Sequence, residues 1–66
     1  MQINIIYVSD PIDFTYCGTL RNLRAGVFAI LNDDIKYITA ELDTSYEDAV
    51  ALGEAYFIKK AAKTNG

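Results

Sequence analysis

Apolar and polar residues alternate with two different periods along this 66-residue chain. Over residues 2–8, Ile3, Ile5 and Tyr7 alternate with Gln2, Asn4 and Ile6, and β-branched residues dominate, which predicts a first strand. Ser9-Asp10-Pro11 ends it, because Pro11 has no N–H to donate and pushes Asp10 out of the helical region. Phe14, Tyr16, Gly18 and Leu20 keep the period of two and predict a strand over residues 14–20, with a turn near Arg21-Asn22. A rival reading of residues 12–26 places a short helix over residues 20–25. Thr19 would cap it, Gly26 would end it, and Leu20, Leu23 and Val27 also fit helical spacing.

The next segment predicts a β-hairpin: Val27-Phe28-Ala29-Ile30-Leu31, a turn at Asn32-Asp33-Asp34, then residues 35–42. Asn and Asp tolerate the positive φ values that tight hairpin turns need. Leu31 and Ile35 are expected to face each other across that turn. The first of these strands is apolar on both faces and is expected to be central, whereas the second carries Lys36 and Glu41 and is partly exposed.

After Asp43 the period becomes helical. Ser45 with Asp48 three residues later approximates a capping box, and Glu47 and Asp48 suit the positive end of a helix dipole. Lys59, Lys60 and Lys63 suit the negative end. Tyr46, Ala49, Val50, Leu52, Gly53, Tyr56 and Phe57 fall on one broad face that is expected to cover a sheet. Gly53 costs about 1 kcal/mol relative to Ala in such a position; close approach of helix and strand would explain it, and so would sequence drift. On the opposite side, Ala51, Ala55, Ile58 and Ala62 repeat at intervals of four, three and four, a short heptad-like stripe. Alanine alone is explained by helix propensity; Ile58 has no such rationale.

These elements predict an α+β fold in which a small antiparallel β-sheet of three to four strands is covered on one face by a C-terminal α-helix. Residues 1–66 are read as a single compact domain. A chain this short buries only about 60% of the surface its unfolded form exposes, so its core is marginal. Disulfides, a metal or oligomerisation usually compensate. One cysteine and no histidine remove an internal disulfide and a Cys-His zinc site from that list. A hydrophobic fraction of 52%, with five tyrosines and three phenylalanines, is the opposite of a disordered composition.

Candidate chemistry is sparse. Without histidine there is no Ser-His or Cys-His pair. Cys17 is read as a small core residue inside a strand, and Asp10, Asp13, Asp33 and Asp34 as turn chemistry. The four glycines form no phosphate-cradling loop. Neither catalytic residues, a metal nor a cofactor is expected, and the chain is read as non-enzymatic.

The net charge of −3 argues against a phosphate-binding surface. A single-stranded nucleic-acid binder using Arg21, Arg24 and the strand aromatics Tyr7, Phe14, Tyr16, Phe28 and Tyr37 is a third-ranked reading, because a domain this small needs those rings for its core. With no spanning segment or leader and one free thiol, a cytoplasmic protein without membrane association is expected.

Protein binding is the leading expectation: a small acidic module that occludes or assembles an unidentified partner protein. Size and composition alone, rather than any motif, suggest a phage or mobile-element inhibitor of host or defence machinery. The alternative is a structural homo-oligomer, a homodimer or a small complex subunit that uses the outer face of the C-terminal helix. The candidate partner-binding residues are Ala51, Ala55, Ile58, Ala62, Arg21 and Arg24, with tyrosine and arginine the types enriched at hot spots.

Overall fold

A computed structural model describes residues 2–64 of the chain, with side chains through Ala61. It contains β1 (Asn4–Val8), β2 (Ile12–Tyr16), β3 (Thr19–Leu23), β4 (Gly26–Leu31), β5 (Asp34–Thr39) and α1 (Tyr46–Thr64). β1, β4 and β5 form an antiparallel sheet in that order, and β2 pairs with β3 as a separate hairpin. The fold is α+β, with the C-terminal helix packed on the sheet.

β4 is central because it is apolar on both faces and needs cover on each. Its odd-numbered side chains point one way: Ala29 packs with Ile3 and Phe57, joined by Ile5, Leu31, Ile38 and Tyr56. Its even-numbered side chains point the other way: Phe28 packs with Val8 and Leu23, joined by Ile6, Phe14, Ile35 and Tyr37. α1 therefore covers one face of the sheet and the β2–β3 hairpin covers the other. The tip of that hairpin reaches the β4–β5 turn, where the Tyr16 hydroxyl donates to the Asn32 carbonyl.

The middle segment departs from its expected form. The strand expected over residues 14–20 is interrupted at Cys17-Gly18, which take φ values of 51° and 78°. Two consecutive positive φ values make a tight two-residue hairpin turn. Tyr16 consequently pairs with Thr19, and Phe14 with Arg21. Cys17 is exposed in this turn rather than buried in a strand. The short helix over residues 20–25 is not formed, since residues 19–23 are needed as the partner strand of β2.

The β4–β5 turn is one residue tighter than expected. Asp34 already belongs to β5 and pairs with Leu31, so Ile35 sits opposite Ile30 instead of Leu31. Asn32 supplies the positive φ, 57°. At the other end, Val27 pairs with Thr39 and Phe28 with Tyr37, so Ile38 is an extra residue bulging from β5. Gly26 is required beside this bulge: at φ 151° a Cβ would meet the Tyr37 ring and lie 2.9 Å from the Thr39 carbonyl oxygen.

α1 starts at its cap. The Asp48 N–H donates to Ser45 Oγ at 3.1 Å and the Ala49 N–H to the Ser45 carbonyl at 2.9 Å. Ala49, Gly53 and Phe57 are buried against the sheet. A Cβ on Gly53 would lie 2.7 Å from that of Ala29. The glycine thus marks the close helix–strand approach expected from its position. The helix contributes a narrower face to the core than its apolar residues suggested, however. Leu52 lies at one flank, 46% exposed, and Tyr46, the first residue of the helix, is 59% exposed.

Candidate protein-binding surface on the helix

The segment between β5 and α1 fixes where the helix points. Thr44 closes a turn, donating from both N–H and Oγ1 to the Glu41 carbonyl at 3.1 and 2.7 Å. The Tyr7 hydroxyl donates to the Thr44 carbonyl at 2.9 Å and ties this turn to β1. At the far end, Lys60 forms an ion pair with Asp34 at the start of β5, and Lys36 lies over the Tyr56 ring. The flank with Tyr56 and Lys60 therefore faces β5, and by helical periodicity the flank with Tyr46 and Val50 faces β1.

With both ends held, the solvent side of α1 presents Ala51, Ala55 and Ile58, all exposed, Ile58 at 59%. Exposed Leu52 extends this strip. These residues are neighbours at spacings of three and four on the helix surface, so their apolar atoms are contiguous. Ala62 continues the same spacing but lies outside the described side chains. Glu47, Asp48, Glu54 and Lys59 border the strip.

At its N-terminal end the strip opens into a shallow groove of about 670 Å³ between the end of β5 and the start of α1. Ala51 and Leu52 line one wall, and Glu41, Asp43 and Asp48 supply three carboxylates. An apolar strip beside solvated carboxylates suits an aliphatic side chain with a lysine or arginine next to it. Among the described residues no three Cys, Asp or Glu side chains are grouped to hold a metal ion.

The two candidate arginines do not join this surface or each other. Arg21 shares the inner face of the hairpin with Phe14, half-buried, and its Nε has no hydrogen-bond partner. Arg24 stacks its guanidinium 4.1 Å from the centroid of Tyr37. One arginine points into the hairpin layer and the other caps an aromatic ring. Of the strand aromatics, Phe28 is buried, Phe14, Tyr16 and Tyr37 are half-buried, and Tyr7 is the exposed one.

Among the described residues two groups have shifted proton affinities, and both meet at the β4–β5 turn. Removal from water, Cys17 and Asp33 raise the pKa of Tyr16. The hydrogen bond to Asp34 raises that of Lys60.

Sequence reasoning missed Leu52 as a surface residue because it assigned every apolar residue on a broad arc to the core. The signal was present. Ala49, Gly53 and Phe57 alone define a face narrow enough for one strand, which leaves Leu52 outside. Comparison with protein-family models, curated proteins and solved structures gives no match for this chain.

Proposed function

We propose that this chain is a non-enzymatic protein-binding module that occludes or assembles a partner through the outer side of α1. The observation that carries this reading is the contiguous exposed strip Ala51, Leu52, Ala55 and Ile58, continuous with the groove holding Glu41, Asp43 and Asp48. Its chemistry selects a protein surface with an aliphatic residue flanked by lysine or arginine. Apolar anchors supply affinity, and the carboxylates supply register and partner choice.

The placement of the aromatics favours protein over nucleic acid. A stacking platform needs several exposed rings on one surface, and here one of the five strand aromatics is exposed.

The test is capture of proteins from a lysate of the source cells on immobilised wild-type chain and on a Leu52→Asp/Ile58→Asp variant. Both positions are exposed, so the variant is expected to fold. A specific partner should be retained by the wild type, lost by the variant and weakened by added salt. Retention of the same partner by the folded variant overturns the assignment to this face. Loss of partner binding only when Arg21 and Arg24 are changed would move the site to the hairpin.

A further inference from the structure

We propose that the outer edge of β1, which pairs with no strand among the described residues, pairs antiparallel with β1 of a second copy of this chain. The two copies would then share one continuous sheet, with three strands from each. The proposal uses a different surface from the helix strip and leaves that strip open.

The edges of the sheet are protected unequally. Edge strands offer unpaired N–H and C=O groups, and proteins blunt them with charges, proline or bulges. β5 carries such devices: Asp34 and Lys36 lie in it, and Ile38 bulges from it. β2 carries Asp13 and β3 carries Arg21. β1, Asn-Ile-Ile-Tyr-Val, carries none of them. It pairs with β4 over all five residues without irregularity, so its outer edge is straight. Apart from β1, only the central strand β4 is uncharged.

The sequence of β1 suits its own copy in particular. A twofold axis at Ile6 sets Ile6 beside its mate, Ile5 opposite Tyr7, and Asn4 opposite Val8. Aromatic and β-branched residues make favourable cross-strand pairs, and no like charges meet. A contact of this symmetry closes at two copies. The remaining edges are those of β5, which are protected.

The pairing also supplies cover that the single chain lacks. Tyr7 is 43% exposed and Ile5 half-buried on the helix face. In the pair, three strand spacings separate the two β4 strands, roughly 14 Å at about 4.8 Å each. Two helices that far apart leave room between them for Ile5 and Tyr7 of both copies. Both outer strips would then face the same side, making the assembly bivalent for its partner.

Sedimentation of the intact chain across a concentration series tests this, together with amide hydrogen exchange at low and high concentration. The expected result is a monomer–dimer equilibrium in which alternate amides of β1 become protected as concentration rises. Tyr7→Lys should weaken dimerisation at least about tenfold, and so should Asn4→Lys, whose side chain is exposed and lies on the other face. Ile58→Asp should leave it unchanged. A monomer up to about 1 mM, where association would be worth only about 4 kcal/mol, overturns the proposal. So does a dimer dispersed by Ile58→Asp, or one whose β1 amides exchange equally fast at both concentrations.

Discussion

The two faces of the central sheet are covered in opposite ways. On one side a helix lies close, with Gly53 over Ala29 and Phe57 filling the space beyond. On the other side a hairpin rests on larger groups: Leu23 and Phe14 pack with Phe28, and Arg21 and Tyr16 share that hairpin face by register. Small residues fix a distance, because backbones meet before side chains can adjust. Large and partly polar residues fix it less tightly, and polar ties at the edges do the rest. Here those ties are Tyr16 to Asn32 and Arg24 over Tyr37. The helix side is thus the rigid one and the hairpin side the more easily opened one.

Phe57→Ala should cost about 3–5 kcal/mol, the usual range for a buried ring. A chain of this length has only about 3–10 kcal/mol in total, so this variant should be largely unfolded by urea titration. Leu23→Ala should cost about 2–4 kcal/mol and act locally first. Its β2 and β3 amides should exchange fast while those of β4 and α1 stay protected. Equal loss of protection across all elements would show that the two faces are one cooperative unit.

Gly53→Ala is a smaller and sharper probe. Helix propensity favours alanine by about 1 kcal/mol, but the new methyl would meet the Ala29 methyl, with the ideal Cβ positions 2.7 Å apart. Neither group can rotate away. Overpacking of this kind costs about 1–3 kcal/mol, so a net loss of about 1 kcal/mol is expected in thermal unfolding. A gain instead would mean that the helix can lift from β4, and the two faces would then be alike.

The same contrast explains what could be read from the residues in advance. The helix side was legible because its signals are local: the Ser45–Asp48 cap, the 3.6-residue period and a glycine at the point of contact. The β4–β5 hairpin was legible through Asn32, which takes the positive φ expected of it. The β2–β3 hairpin was not. Its two-residue turn reverses which residues share a face, so Leu20, 64% exposed, does not continue the row of Phe14 and Tyr16. Reading period two straight through Cys17-Gly18 hid the turn, since a cysteine is not a usual residue at positive φ. The helix strip was partly legible. The acidic groove beside Leu52 depends on where the connecting segment sits, which needs the Tyr7–Thr44 bond and hence the tertiary structure.

That unusual turn predicts a stabilising change on the weaker face. Cys17 at φ 51° bears a left-handed conformation that costs a side-chain-bearing residue roughly 1–2 kcal/mol. Cys17→Gly removes that cost but gives back about 0.5–1 kcal/mol through the freer unfolded chain. The expected net gain is about 0.5 kcal/mol, seen as a slightly higher Tm. A lower Tm would indicate that the cysteine side chain makes a contact worth more than the strain.

The smallest effect joins the two faces at one place. Lys60 reaches the β4–β5 turn from the helix side and Tyr16 reaches it from the hairpin side. Both have raised pKa values in the folded chain, Lys60 first through its hydrogen bond to Asp34 and Tyr16 first through removal from water. Folding therefore favours the protonated form of each. Their contributions are complete below the unfolded values, near 10 for both residue types, and decline as pH rises through the folded ones. Stability should be flat from neutrality to about pH 9 and fall beyond it. Lys60→Met should remove the lysine share of that fall and Tyr16→Phe the tyrosine share. If the rigid and yielding faces differ as argued, the Tyr16 share should appear first as faster exchange of β2 and β3 amides at alkaline pH. The Lys60 share should appear only in global unfolding. An alkaline loss confined to the helix, with the hairpin unaffected, would reverse the ranking of the two faces.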